Sequence, residues 1–322
     1  MGESSAQGII LLMYNPPEDH LDRLRSIAPG YEFRVATSEN EAIRLMPEAE
    51  IVLGNRYFTQ SLPFARQLKW MQSNSVGVDL ILAQKDLLSQ KGIVLTCARG
   101  VYDNEMALHA LGLVLSLFRS LHLLRDEQLR HSWQRHRLRD FEGSRCLILG
   151  WGSLAQKIAG YLTAFGGRVS AVRNQSHDSE DGEIKIFGRN SWEEQLPLTD
   201  LLVLCLPKTA GTMRLVGRPQ LEKLPATAFV VNIGRGGTLD DDALADLVRN
   251  RFIAGAALDV FEQEPLPSAH PIWTIPEIIV SPHVARSLEG PNFKWFALFE
   301  NNLARYIGGQ PLLHQVDYAR GY

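Results

Sequence analysis

A histidine and a group of acidic residues near the end of the chain have the types and spacing needed for proton transfer. His283 follows the segment that contains Asp259 and Glu264, and each part lies just after an apolar, strand-like run. A carboxylate beside a histidine favours the protonated ring and fixes its orientation, which suits acid–base chemistry near neutral pH. Singly, His283 could be a core histidine, Glu264 a solvated charge and Asp259 an ordinary strand-end carboxylate. Their common position at strand ends favours a site.

A second candidate is an arginine enclosed by glycines, in the segment Asn232-Ile233-Gly234-Arg235-Gly236-Gly237. A residue in that setting is poorly suited to core packing. Glycine permits the close approach of a ligand, and a guanidinium pairs well with a carboxylate or a carbonyl oxygen. We therefore expect Arg235 to bind substrate.

A glycine-rich loop, Gly150-Trp151-Gly152-Ser153-Leu154-Ala155, follows an apolar run and precedes a helical pattern. Gly150 permits the tight turn, Gly152 permits the approach of a pyrophosphate, and Ala155 keeps the helix close to the strand. The N–H groups at the start of the helix would hold the phosphates. An ordinary strand–helix turn of an α/β protein has a similar pattern, so the loop alone does not identify a dinucleotide site.

Arg173 occupies the place where an NAD site carries an acidic residue, about 20 positions past the glycine loop. A carboxylate there would repel the 2′-phosphate of NADP(H), whereas arginine can pair with it through two hydrogen bonds. Arg173, together with Asn174 and Ser176, therefore favours NADP(H). The alternative is a surface arginine that binds no ligand.

A further glycine loop, Ser73-Asn74-Ser75-Val76-Gly77-Val78-Asp79, follows a strand in the first third of the chain. Parallel α/β sheets bind ligands at the carboxyl ends of their strands, and the loop N–H groups could hold a carboxylate. The same residues are equally compatible with a plain turn.

Strands alternate with helices along most of the chain, which predicts an α/β fold with two doubly wound parallel-sheet domains. The predicted strands are 8–14, 31–36, 50–54, 68–73 and 92–96 in the first sheet, and 146–149, 168–172, 201–206, 229–233, 254–258 and 278–280 in the second. An apolar pattern between the sheets predicts one long helix over 105–131, which could also pack across a subunit interface. A last amphipathic helix is predicted over 292–308.

The composition describes an ordinary globular chain of 322 residues, with 45% hydrophobic residues, 21% charged residues and a net charge of -3. That length suggests about two domains, and the charge gives no sign of a nucleic-acid partner. No apolar run has the length of a membrane span, and the N-terminus lacks a signal-peptide pattern. The cysteines lack the spacing of a zinc site. These features predict a cytoplasmic protein without metal, membrane or nucleic acid.

Taken together, the motifs resemble those of the D-isomer-specific 2-hydroxyacid dehydrogenase family, in the branch of glyoxylate/hydroxypyruvate reductases. The resemblance runs from Ser73 nearly to the C-terminus, and its motifs are Val76 to Asp79, Gly150 to Ala155, Leu206-Pro207, Asn232 to Gly236, Leu258 to Phe261, Glu264 to Pro267, Ser281 to Ala285 and Gln315 to Tyr322. It implies a flavodoxin-like substrate domain (1–104 plus 287–322), a Rossmann cofactor domain (105–286) and a cleft between them.

The resemblance also implies a reaction, which is the reduction of a small 2-ketoacid to the D-2-hydroxyacid by NAD(P)H. Arg235 would hold the ketoacid carboxylate and polarise the carbonyl group. His283 would be the acid–base group, and Glu264 would orient it and keep it protonated. The N–H groups of Val76 and Gly77 would bind the substrate carboxylate.

The implied cofactor is NADP(H), chosen over NAD(H) because of Arg173, and Asp259 would hydrogen-bond its nicotinamide carboxamide. The remaining cofactor contacts would come from Met106, Gly150, Gly152, Ser153, Leu154, Asn174, Ser176, Leu206, Pro207, Thr212, Ile233, Gly234, His283 and Ala285. The family's usual Ala-Glu-His is Ala107-Leu108-His109 here, which removes a polar contact. A homodimer through the helix 105–131 is also implied. The alternative function is a dinucleotide-sensing binding protein, similar to the corepressors built on this fold.

Overall fold

The computed structural model describes residues 7–286 and 294–322, and the chain divides into two compact units. The first unit consists of the described residues of Met1–Tyr102 and Glu289–Tyr322, and the second of the described residues of Asp103–Leu288. The boundaries predicted from the sequence lie two residues away, at 104/105 and 286/287. Residues 1–6 and 287–293, which the predicted domains include, lie outside the described residues.

The elements alternate along the chain as an α/β fold requires. The strands are β1 Gly8–Leu12, β2 Tyr31–Val35, β3 Ala49–Leu53, β4 Trp70–Gln72, β5 Val94–Thr96, β6 Arg145–Leu149, β7 Arg168–Val172, β8 Ser179–Asp181, β9 Ile184–Phe187, β10 Leu201–Leu204, β11 Phe229–Asn232, β12 Gly255–Leu258 and β13 Ile278–Val280. The α-helices are α1 Glu18–Ile27, α2 Glu39–Leu45, α3 Phe58–Ser61, α4 Asp79–Leu82, α5 Lys85–Gln90, α6 Asp103–Phe118, α7 Leu121–Leu129, α8 Ser153–Ala164, α9 Arg218–Leu221, α10 Asp241–Arg249 and α11 Lys294–Ile307. Short 3₁₀ turns, at Met46–Glu48, Leu62–Phe64, Trp192–Leu198 and Pro271–Thr274, complete the connections.

The first unit contains a five-stranded parallel sheet with the order β2-β1-β3-β4-β5. Its interior strand β1 is a continuous apolar run whose last three residues are fully buried, as expected for a parallel sheet covered on both faces. The C-terminal helix α11 packs against α1, and Asn302 on α11 donates to Gln72 Oε1 of β4 at 2.7 Å. The first two residues of the helix predicted over 292–308 lie outside the described residues.

The second unit contains an eight-stranded sheet with the order β13-β12-β11-β10-β6-β7-β9-β8, which is parallel except for the β8–β9 pair. The sequence predicted six of these strands and missed β8 and β9. Both are short, and β8 is polar and mostly exposed, so neither shows the apolar run of a central strand. The direction of winding reverses beside β6, which is where doubly wound sheets bind their ligands.

The helix predicted over 105–131 is wrong as a single element. The structure has α6 and α7 instead, bent by 67° relative to each other at a short break. Ser120 lies at this break with a left-handed φ of 50°, a backbone conformation that interrupts a right-handed helix. The apolar pattern continues across the break, so periodicity alone did not reveal it. Among the described helices, none is by itself both long and apolar enough to cross a membrane; only this bent pair satisfies the criterion jointly.

Candidate active site

The predicted proton donor and its carboxylate partner meet at the carboxyl edge of the second sheet. Glu264 follows β12 and His283 follows β13, and His283 Nδ1 lies 2.7 Å from Glu264 Oε2. The other Glu264 oxygen accepts a hydrogen bond from the backbone N–H of Phe261 at 3.0 Å, which fixes the carboxylate. About half of the His283 side chain is exposed. The ring is therefore held through one nitrogen and remains accessible to a ligand.

Asp259 holds the turn on which His283 stands. Its carboxylate accepts the backbone N–H groups of Val284 at 3.0 Å and Ala285 at 3.1 Å, and its own carbonyl accepts from His283 N at 2.9 Å. Burial opposes the charge of this carboxyl group, but the hydrogen bonds from His109, Ser281 and the two N–H groups outweigh it and keep its pKa below the ordinary value. Asp259 is therefore an ionised, internally bonded side chain.

Two polar side chains that the sequence reasoning missed complete this group. Ser281 Oγ lies 2.5 Å from Asp259 Oδ1, and His109 Nε2 lies 3.0 Å from Ser281 Oγ. His109 stands on α6, 150 residues before Asp259 in the chain. The motif Ala107-Leu108-His109 was the available signal, although it was interpreted only as the loss of a glutamate.

Arg235 follows β11 in a turn held by Asn232. The Asn232 side chain accepts from Gly234 N at 3.2 Å, and Arg235 Nη1 donates to the Gly234 carbonyl at 2.7 Å. A Cβ at Gly234 would lie 2.6 Å from the backbone N of Leu206, and one at Gly236 would lie 1.7 Å from the Phe261 carbonyl oxygen. These two glycines therefore allow close backbone packing, whereas the sequence suggested that they admit a ligand. Arg235 itself is half-buried.

The glycine loop after β6 has the predicted strand–turn–helix form. Gly150 adopts a φ of 103°, and a Cβ there would lie 2.8 Å from the Cys205 carbonyl oxygen. A Cβ at Gly152 would meet nothing within 4 Å. Gly152 is the N-cap residue of α8 and has no side chain that could accept a hydrogen bond. The N–H groups of Ser153 and Leu154, at the start of the helix, therefore have no side-chain cap. This loop fits a pyrophosphate held by backbone N–H groups.

Arg173 follows β7 directly, with Asn174 and Ser176 close behind in the chain, and all three are exposed. Within the described part of the chain, the Arg173 guanidinium forms neither a hydrogen bond nor an ion pair. The unpredicted strand β8 brings Asp181 to the glycine loop, where Trp151 Nε1 donates to its carboxylate at 2.8 Å. The carboxylate near this loop is therefore engaged by Trp151.

The other predicted cofactor contacts divide into a loop and a core group. Leu206 and Pro207 are half-buried after β10, and Thr212 Oγ1 donates to the Pro207 carbonyl at 2.6 Å, which fixes that loop. Ile233 and Ala285 are buried in the second unit's core, and Met106 packs against the same cluster. The side chains of Ile233, Ala285 and Met106 therefore contribute to the packing of the core.

In the first unit, the predicted carboxylate-binding loop follows β4. Asn55 Oδ1 accepts from Asn74 N at 2.9 Å, and the Asn55 amide donates to Ser75 Oγ at 2.9 Å. The N–H groups of Val76 and Gly77 donate to no acceptor within 7–286 and 294–322. Asn55 is a supporting residue that the sequence reasoning did not identify, and it leaves two backbone donors available.

Comparison with known proteins identifies the family of this chain. Residues 111–285 match the family model described as "D-isomer specific 2-hydroxyacid dehydrogenase, NAD binding domain". The match spans more than half of the chain and includes the glycine loop, Arg235, Glu264 and His283. The chain therefore belongs to the D-isomer specific 2-hydroxyacid dehydrogenase family of NAD(P)-dependent oxidoreductases.

Individual relatives cover nearly the whole chain. A glyoxylate/hydroxypyruvate reductase B from Yersinia pestis is 28% identical over 93% of this chain and 94% of its own length. The crystal structure of a family member from Aeromonas salmonicida has a TM-score of 0.84 at 31% identity, with 97% of this chain and 99% of that chain covered. A family member from Xanthobacter autotrophicus, crystallised with NADPH and MES, has a TM-score of 0.84 at 26% identity, with 98% and 99% coverage. Both similarities confirm the predicted α/β fold with its Rossmann-like domain.

Proposed function

We propose that this enzyme reduces a small 2-ketoacid of the glyoxylate/hydroxypyruvate type to the D-2-hydroxyacid. The observation that carries the proposal is the contact of 2.7 Å between His283 Nδ1 and Glu264 Oε2 at a strand-end edge that also bears Arg235. The similarity to the Yersinia pestis reductase supports the same substrate class.

His283 supplies the proton in the proposed reaction. When bound, the reduced nicotinamide supplies a hydride to the 2-carbon of the ketoacid. His283 donates the proton on Nε2 to the carbonyl oxygen, while Glu264 holds Nδ1 and fixes the orientation of the ring. In the reverse direction the neutral ring accepts the hydroxyl proton. The half-exposed side chain suits this exchange, because the ring must reach both substrate and solvent.

Arg235 and the loop of the first unit bind the substrate in this proposal. The half-buried Arg235 guanidinium binds the carboxylate and polarises the carbonyl group. The N–H groups of Val76 and Gly77, which have no acceptor in the described chain, bind the carboxylate. The first unit thus acts as the substrate domain, and the second as the cofactor domain.

The cofactor in this proposal is NADP(H). The exposed Arg173, whose guanidinium has no partner among the described residues, pairs with the 2′-phosphate with the help of Asn174 and Ser176. The N–H groups at the start of α8 hold the pyrophosphate. Asp259 Oδ2 accepts one hydrogen bond, from Ala285 N, and retains capacity for the nicotinamide carboxamide. The NADPH found in the Xanthobacter autotrophicus structure supports this preference.

The proposed assembly is a homodimer that covers α7. No residue of α7 is buried, although it carries the exposed side chains of Leu121 and Leu129, and the fully exposed Trp133 follows it. A second copy of the chain would remove this apolar surface from water. Sedimentation velocity of the purified chain tests the proposal. The cytoplasmic location and the absence of a nucleic-acid or membrane partner stay predictions.

The proposed reaction is tested by assaying the purified protein with glyoxylate, hydroxypyruvate, pyruvate and phenylpyruvate, each with NADPH and with NADH. We expect turnover of the smaller ketoacids and a preference for NADPH, followed as loss of reduced-nicotinamide absorbance. Tight dinucleotide binding without turnover of any ketoacid would contradict the proposal and favour the corepressor-like binding protein.

A further inference from the structure

The hydrogen bonds around Asp259 have a defined direction. An ionised carboxylate can only accept, so the Ser281 hydroxyl must donate to Asp259 Oδ1 over the observed 2.5 Å. The Ser281 oxygen is then free to accept, and its neighbour at 3.0 Å is His109 Nε2. His109 Nε2 must therefore carry a proton and donate to Ser281 Oγ. His109 Nε2 also lies 3.4 Å from Asp259 Oδ1, so the donor is aimed at both oxygens.

The same carboxylate also holds the turn of the proton donor. Val284 N donates to Oδ1 and Ala285 N donates to Oδ2, while His283 N donates to the Asp259 carbonyl. His283 has a φ of 54°, a left-handed conformation that is unfavourable for a residue with a Cβ. Such a conformation persists only where surrounding contacts determine it. Here those contacts converge on Asp259.

We propose that His109 is a positioning residue for the proton donor, which it holds in place through Ser281 and Asp259. The helix α6 supplies the donor, Ser281 relays the hydrogen bond, and Asp259 fixes the backbone of His283 to Ala285. With Asp259 held on one side, the His283 ring keeps its contact with Glu264 on the other. The kinetic consequence rests on the proposed function; the structural consequence does not.

A matched pair of substitutions at His109 distinguishes the effect of losing its hydrogen-bond donor from the effect of changing the volume of its side chain. Glutamine and methionine have similar length and flexibility, but only glutamine carries an N–H donor. We expect His109→Met to lower kcat about tenfold, because small displacements of a reacting group reduce turnover steeply. His109→Gln should stay within about twofold of the native kcat, since it retains the donor. Leu108→Gln, on the half-exposed neighbouring position, is the control for a polar change on the same helix.

Amide hydrogen exchange supplies a readout that needs no substrate. We expect the peptide covering 281–286 to exchange about tenfold faster in His109→Met, while His109→Gln matches the native protein and both variants keep their Tm. Equal effects of the two substitutions, native kcat in His109→Met, or a lowered kcat with unchanged exchange would each overturn the proposal.

The proposal can still be tested if His109→Met does not fold or if the native protein shows no ketoacid reduction. If His109→Met does not fold, Ser281→Ala removes the same link and Ser281→Thr preserves its hydroxyl, with the same expected contrast between the two. If the native protein reduces no ketoacid, the proposed function fails, but the exchange of 281–286 still decides whether His109 positions this turn.

Discussion

The two sheets present different kinds of edge to a ligand. At the carboxyl edge of the second sheet, the polar side chains are already bonded to one another: Asp259 to Ser281 and to two backbone N–H groups, and His283 to Glu264. In the loop after β4 of the first sheet, Asn55 fixes the backbone, but the N–H groups of Val76 and Gly77 have no acceptor among the residues described. We call these the bonded edge and the open loop.

The difference shows how one chain can combine precise chemistry with ligand binding. A proton-transfer group must be held in its reacting geometry before the substrate arrives, so its hydrogen bonds are made during folding. A binding loop gains affinity by leaving donors for the ligand to satisfy, because those donors are bonded to water in the free protein. Under the proposed function, Arg173 and the start of α8 would also act as binding elements, although they lie in the second unit.

The largest expected effect is at the bonded edge. His283→Ala removes the proton donor, and we expect kcat to fall about 10³-fold, within the range that general acid catalysis contributes. NADPH binding, measured by fluorescence titration, should change less than about threefold, since the cofactor phosphates are bound elsewhere. His131→Ala, an exposed histidine on the same unit, is the control and should be native. Retention of more than a tenth of the native kcat would remove His283 from the proton-donor role.

A smaller effect on activity is expected from substitution of the exposed Arg173. Arg173→Asp should lower kcat/KM with NADPH by about tenfold to a hundredfold, because a charged hydrogen-bonding pair is replaced by repulsion. The value with NADH should hardly change. Arg173→Lys keeps the charge but cannot form two parallel hydrogen bonds, so an intermediate loss is expected. An unchanged NADPH/NADH ratio in Arg173→Asp would refute the assignment of the 2′-phosphate.

The open loop can be tested by deleting one backbone donor. Gly77→Pro removes an N–H group that has no acceptor in the described chain, and we expect KM for the ketoacid to rise about tenfold. Gly77→Ala keeps the N–H group and serves as the matched variant. Steady-state kinetics at saturating NADPH distinguish the two, and circular dichroism checks their folding. Equal KM values for the two variants would mean that this donor does not bind the substrate.

The smallest effect concerns the folding stability of the second unit, which contains Asp241. Asp241 accepts the backbone N–H of Glu262 through Oδ2, while its other oxygen has no partner in the described structure. Burial, together with the charges of Glu262, Asp240 and Asp242, raises its pKa to about 6. The folded form therefore binds a proton more tightly than the unfolded chain, and stability should fall as pH rises from about 4 to about 6.

Asp241→Asn removes this titration and preserves the acceptor for Glu262. We expect it to raise the free energy of unfolding at pH 7 by about 1–3 kcal/mol and to have little effect at pH 4. Urea unfolding at both pH values measures the difference. Asp242→Asn, on a well-exposed neighbour, is the control and should show no comparable pH dependence. A gain of equal size at pH 4 and pH 7 would contradict the electrostatic explanation.

The sequence alone was sufficient for features that depend on local pattern. Apolar runs marked the strands that carry site residues, such as β6 before the glycine loop and β13 before His283. The positive φ of Gly150 and the uncapped start of α8 followed from the loop motif. Because strand ends of a parallel sheet share one edge, the approach of Glu264 to His283 could also be predicted.

Other features depended on contacts between residues far apart in the chain, and only the tertiary structure decided them. The break at Ser120, the added strands β8 and β9, and the packing of Gly236 on Phe261 have no local signal in residue type or period. The motif around His109 marked that residue, but nothing local showed that it contacts Ser281 and Asp259. Each arises because packing brings one particular backbone or side chain against another. Residue types therefore determined which chemistry this chain can perform, and the long-range contacts decided which atoms are held in place to perform it.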